Sequence, residues 1–180
     1  MTTREFETQR LSFRIPVRDD YEDSAAMWGD PVVVRYITAR PFTREECWAR
    51  YLRYVGHWQV LGYGFWTVRD RASGAFVGEV GFGEFRREIE PRLDDAPEIG
   101  WVLSPAAHGK GFATEAASAA LDWMARTHAP ARTVCIIQPE NSASLRVAEK
   151  CGYREFARTR YKDSAAVLLE RIVREKPLRS

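Results

Sequence analysis

A chain of 180 residues, 45% hydrophobic and 29% charged, has the length of one domain and enough apolar content for a sizeable core. Its formal net charge of +2, with no run of Lys or Arg left unbalanced by acids, argues against nucleic acid as a partner. Three cysteines without metal spacing, a polar N-terminus and no apolar stretch of spanning length lead us to expect reduced thiols, no metal, no membrane and a cytoplasmic location.

Residues 10–16 alternate polar and apolar side chains and read as a first strand, stopped by Pro16. Asp19-Asp20 is suited to cap a helix running to Trp28, and Asp30-Pro31 marks a turn. Thr43 with Glu46 makes a capping box for an aromatic-rich helix to Trp58. Residues 64–70 and 75–85 form an antiparallel hairpin around Ala72-Ser73-Gly74. Residues 86–97 read as a flexible, solvated loop, with Arg86-Arg87 balanced by Glu88 and Glu90. A central strand (98–104), a long helix (111–127), a strand (132–138) and a short helix follow, and strands at 153–160 and 165–174 close the chain. Early strands followed by a strand-helix-strand core predict an α/β (α+β) fold, a mixed sheet flanked by helices.

Two segments carry chemistry. The first is His108-Gly109-Lys110-Gly111-Phe112-Ala113-Thr114, a glycine turn between an apolar strand and an alanine-rich helix. Such a turn presents unsatisfied backbone N–H groups at the positive end of a helix dipole, a place for a phosphate or pyrophosphate. Neither the triphosphate-loop spacing nor the dinucleotide G-x-G-x-x-G is present, and taken alone the stretch is equally a plain strand-to-helix bend. The second segment runs from Asn141 through Ser144 to Tyr153, a short helix capped by Asn141 or Ser142 and ended by Gly152.

Together these segments resemble the GNAT acetyltransferase superfamily. Thr8 to Arg14, Met27 to Pro31 and Val34-Arg35-Tyr36 extend the resemblance to the branch containing bacterial ribosomal-protein N-terminal acetyltransferases. The resemblance implies one GNAT domain with a mostly antiparallel sheet of six or seven strands whose central strands splay at a bulge. It implies acetyl-CoA as co-substrate, with the pantetheine arm along Trp101, Val102 and Leu103 and the pyrophosphate on His108, Gly109, Lys110, Gly111, Phe112, Ala113 and Thr114. Asn141 and Ser144 contact the cofactor too, and His108 departs from the Gln or Arg usual at its position. As catalytic residues we expect Glu98, a base or an ammonium anchor at the head of the central strand, and Ser144, a donor to the thiolate. A structural salt bridge is the plainer role for Glu98, and a helix-surface serine for Ser144. Glu79 and Glu84 are second choices for the acceptor cleft, which residues near Tyr36 would wall. Tyr153 packs in the sheet, and Cys151 is not a nucleophile. The expected reaction is direct acetyl transfer to a primary amine, first a protein N-terminal α-amine. A small amine (polyamine, aminoglycoside or amino acid) and a non-catalytic acyl-CoA sensor stand as alternatives, and a homodimer is kept open.

Overall fold

The computed structural model describes residues 4–93 and 96–173. The strands are β1 (Phe6–Glu7), β2 (Leu11–Arg14), β3 (Phe65–Asp70), β4 (Phe76–Gly83), β5 (Glu98–Leu103), β6 (Arg132–Ile137), β7 (Arg154–Tyr161) and β8 (Ser164–Ile172). The helices are α1 (Tyr21–Trp28), α2 (Pro31–Val34), α3 (Arg44–Leu61), α4 (Phe112–Thr127) and α5 (Ser142–Lys150). All seven expected strands are present, and the two-residue β1 adds an eighth to the sheet. The sheet order is β1-β2-β3-β4-β5-β6-β8-β7, antiparallel throughout except for the parallel pair β5–β6. No helix among the described residues is long and apolar enough to cross a membrane.

Local signals set most boundaries. The capping box holds, with Thr43 Oγ1 accepting from the Glu46 N–H at 3.2 Å and the Glu46 carboxylate from the Thr43 N–H at 2.8 Å. The helix it starts runs on to Leu61, where Gly62 at φ 76° ends it in the left-handed conformation. The hairpin turn is an Asp70 turn, its carboxylate accepting from the N–H groups of Ala72 and Ser73.

Three expectations change. Asp20 makes no side-chain cap on α1; its fully buried carboxylate instead pairs with Arg14 and Arg69. Burial opposes that charge, but hydrogen bonds from Arg69, the Val17 N–H and Arg14 hold Asp20 below the usual carboxylate range. Asp30 is a cap rather than a turn residue, accepting from the Val32 N–H at 2.8 Å and starting α2 at Pro31. The segment after β4 is a loop with Arg86, Glu88 and Glu90 exposed as expected, but it is not solvated throughout. Ile89, Leu93 and Ala96 are buried against Val134 and Leu168, so its apolar residues dock on the sheet.

The sheet's two faces are packed differently, because successive residues of a strand point to opposite sides. On one face Trp66, Val68, Val80, Phe82, Ile99 and Leu103 meet Trp58, Phe112, Ala116, Leu121 and Trp123 in the main core, against α4. Trp58, Trp66 and Trp123 pack edge to face with centroids 5.0 to 5.7 Å apart. On the other face α1, α2 and the first half of α3 gather Met27, Trp28, Val34 and Cys47, with Val102 packed against them.

Candidate active site

Strand β5 is paired along its whole length with β4, from Gly83↔Glu98 to Gly78↔Leu103, but meets β6 only at Glu98↔Val134. Beyond that point β6 is held by β8 alone, so the facing edges of β5 and β6 separate. The β4–β5 register runs without a shift, so the splay comes from divergence of β5 and β6 and not from the bulge the resemblance implied. A cleft of about 890 Å³ occupies the gap and reaches both faces of the sheet. On the α4 side it is lined by Trp101, Leu103, His108, Gly111, Asn141 and Ser144; on the other side by Trp28, Tyr36, Arg50, Phe65, Arg87 and Glu98.

The glycine turn sits at the α4 mouth. Gly109 and Gly111 take φ of 73° and 76°, and Gly111 is the N-cap of α4 with no side chain capping the helix. The N–H groups at that terminus are therefore available to an anion. A clamp from the first strands shapes the turn. Arg10 donates to the Lys110 carbonyl at 2.9 Å, stacks over the Phe112 ring at 4.7 Å and pairs with Glu115 at 2.6 Å. Thr8 donates to the same carboxylate at 2.6 Å. Burial alone would raise Glu115; hydrogen bonds from Thr8 and Arg10 bring it below its ordinary value. Neutralising Glu115 there matters, since a free carboxylate in the first turn of α4 would repel an incoming anion.

His108 is exposed at the cleft mouth, with one ring nitrogen tied to the backbone. Its Nε2 lies 3.0 Å from the Leu103 carbonyl, which can only accept, so Nε2–H donates and ties the turn to the end of β5. Asn141 caps α5, its Oδ1 accepting from the Ser144 N–H at 3.1 Å, which leaves its amide N–H₂ for a ligand. Ser144 lines the cleft one turn in, and its hydroxyl makes no hydrogen bond among the described residues. Trp101, Val102, Leu103, His108, Gly109, Gly111, Phe112, Ala113 and Thr114 all line the cleft, whereas Lys110 does not.

Residues 10–154 match the family described as an acetyltransferase (GNAT) domain. The chain belongs to the GNAT acetyltransferases. It is 30% identical over 147 residues to the uncharacterized N-acetyltransferase YnaD of Bacillus subtilis, covering 82% of this chain and 81% of that one. A putative GNAT-family acetyltransferase from Bordetella pertussis superposes with a TM-score of 0.82 at 31% identity, covering 93% and 98% of the two chains. The fold is also that of the ribosomal-protein-S5-alanine acetyltransferase from Vibrio fischeri, with a TM-score of 0.74, 20% identity and coverage of 93% and 96%.

GNAT enzymes use acetyl-CoA, and the uncapped α4 terminus, the unpaired edge of β5 and the free amide of Asn141 fit its pyrophosphate and its amide-bearing arm. Of the carboxylates expected at the site, Glu98 lines the cleft and Glu79 and Glu84 do not. Both oxygens of Glu98 accept from Arg87, at 2.7 Å each, and the pair is mostly buried. The Arg87 guanidinium also stacks on Phe85 and Tyr161, 4.8 and 5.0 Å from their centroids. Glu98 is thus in a bidentate salt bridge, with each oxygen already accepting one hydrogen bond. Glu79 does not reach the cleft. It is buried under α1, accepting from Ser24 at 2.5 Å and from the Trp28 indole at 2.8 Å, and burial pushes its pKa up. Glu84 is turned away to Tyr63 and Arg86.

Tyr36 does line the cleft. Tyr153 packs in the sheet against Thr133 at 2.6 Å, and burial raises its hydroxyl far above the normal value. Burial also raises Cys151, 3.7 Å from the Ser118 hydroxyl, so it is no ready thiolate. Sequence reasoning missed Arg50, Arg87 and Tyr161, all of which line the cleft.

Proposed function

We propose that this GNAT enzyme transfers acetyl from acetyl-CoA directly to an α-amine, with a protein N-terminus as the first acceptor class. The observation that carries it is the splay: one cleft crosses the sheet between the unpaired edges of β5 and β6, with the anion-binding turn at one mouth and an aromatic chamber at the other. Bound acetyl-CoA supplies the activated acyl group, whose carbonyl carbon forms the new bond to nitrogen as the bond to sulfur breaks. The protein's part is positioning. The edge of β5 at Trp101–Leu103 aligns the arm, and the N–H groups of the turn and the Asn141 amide hold the cofactor's polar groups. Ser144 is placed to give a hydrogen bond to the departing thiolate.

The acceptor class follows from Glu98. It is the one carboxylate among the described residues lining the cleft, and Arg87 donates to both its oxygens, so we assign it to holding the cleft wall and not to accepting a proton. Without a free carboxylate base the amine must arrive neutral. An α-amine, with an ordinary pKa of about 7.7–8.0, is roughly one-third neutral at pH about 7.5, whereas a lysine-like amine near 10.4 is neutral only about once in a thousand. That favours α-amines over polyamines. A thiol-release assay with acetyl-CoA, run across N-terminal peptides and small polyamines, tests the reading. We expect release with peptides bearing a free α-amine and none after their N-acetylation. Acetyl-CoA binding with no release from any amine would make the protein a sensor instead.

A further inference from the structure

The acceptor side of the cleft holds positive charge that the transfer does not use. Arg35, Arg40, Arg50, Arg87 and Lys162 line the cleft against the lone carboxylate Glu98. Two of these cations are already satisfied. Arg87 takes Glu98, and Arg40 holds Glu46 at 2.5 and 2.9 Å, drawing the Glu46 carboxyl down to about 2. Arg50 is not satisfied. Its guanidinium carbon lies 3.9 Å from the centroid of Trp28 and 5.0 Å from that of Phe42, and Nη1 donates to the Tyr54 hydroxyl at 2.9 Å. No carboxylate among the described residues hydrogen-bonds it, and its Nε–H is buried with no acceptor. A guanidinium has five N–H donors in a rigid fork, and here one is used. Glu79 lies beyond Trp28 and interacts with Arg50 only through space, since its two oxygens are committed to Ser24 and the Trp28 indole.

A guanidinium that lines a substrate cleft with no carboxylate partner and an uncommitted Nη2 among the described residues points to an acceptor atom brought by the ligand. The pyrophosphate turn lies on the α4 face and Arg50 comes from α3 on the opposite face, so that atom belongs to the amine and not to the cofactor. We propose that the acceptor carries a carboxylate beside its α-amine and that Arg50 binds it, with Arg35 and Lys162 adding cationic field at the cleft wall. This rests on the cleft being the site of α-amine acetylation and names its substrate class. The carboxylate has two sources, the α-carboxylate of a free amino acid or an acidic side chain next to a peptide's first residue.

Two matched pairs separate the sources: L-serine against L-serinamide, and Ser-Glu-Ala-Ala-amide against Ser-Gln-Ala-Ala-amide. With saturating acetyl-CoA, and with kcat/KM expressed per unprotonated amine because the two members of a pair differ in amine pKa, thiol release should favour the acidic member of one pair by about tenfold or more, carried in KM, as expected for a charge-assisted contact. Arg50→Gln should bring that ratio to within about twofold of one, and Arg50→Lys, which keeps the charge but loses the stacked fork, should retain part of it. Equal use of both members in both pairs overturns the proposal. So does an undiminished ratio in both Arg50 variants, or a loss of affinity for CoA in place of the acceptor. If no amine releases thiol, it is the transfer reading that fails. Calorimetry of the same pairs on the CoA-bound protein then decides the proposal by the same tenfold criterion.

Discussion

Gly111 offers a clean test of where the cofactor's charge lies. A Cβ added there would stand 3.6 Å from Arg10 Nη2, ordinary contact, so space is not the obstacle; the φ of 76° is. Among non-glycine residues Asn and Asp tolerate that conformation best, at a cost of about 1 kcal/mol, and they have the same shape. Comparing Gly111→Asn with Gly111→Asp therefore isolates one negative charge at the N-cap of α4. Two unit charges about 5–6 Å apart at an effective dielectric near 20 repel by about 3 kcal/mol. Arg10 screens little of this, because Glu115 already neutralises it at 2.6 Å. Allowing for salt, we expect about 2–3 kcal/mol, or roughly 30- to 150-fold weaker CoA binding for Asp than for Asn. Calorimetric titration with CoA reads the difference, and thermal melts check that both variants fold alike. Equal affinities for the two variants, within about twofold, would refute an anion site at this turn.

Four further outcomes follow from the same geometry. Arg87→Ala leaves the mostly buried Glu98 carboxylate unpaired and should cost about 2–4 kcal/mol, seen as a fall in Tm of about 5–12 °C. Glu98→Gln should lower stability while the rate-versus-pH profile keeps its alkaline-rising limb; disappearance of that limb would make Glu98 the base after all. Glu79 sits above its unfolded pKa because of burial, so it stabilises the fold below about 4.5 and loses that contribution as pH rises through its folded value. Denaturant midpoints measured from pH about 4.5 upward should therefore fall less steeply for Glu79→Gln than for the parent, and parallel curves would contradict the burial argument. Asn141→Ala removes the α5 cap for about 1 kcal/mol and weakens CoA binding; Asn141→Asp should restore the melting temperature without restoring affinity, since it keeps the cap acceptor but lacks the amide donor.

What was legible in the sequence is what is local. The Thr43–Glu46 box spans three residues, the glycine turn and its helix are contiguous, and Asn141 caps a helix that begins at the next residue. What escaped depends on partners brought together by the sheet. Arg10 meets Glu115 across 105 positions, so the clamp on the turn has no sequence signature. For Glu98 a salt bridge was one of the readings, but its partner was not legible, since only the docking of Ile89 and Leu93 on the sheet carries Arg87 onto it. Glu79 alternates toward α1 instead of the cleft, a consequence of which face of β4 the first helix covers. Arg50, inside an aromatic helix, carries no signal of its own in the sequence, because its setting depends on Trp28 and Phe42 packing around it.

If acetyl-CoA and an α-amine meet where β5 and β6 part, a crystal structure with CoA shows it. We expect the pyrophosphate on the N–H groups of residues 109–114, the arm along Trp101–Leu103, and the thiol in the gap beside Ser144, facing the chamber of Trp28, Tyr36 and Arg50. CoA bound outside that gap, or with its thiol directed away from the chamber, would contradict it.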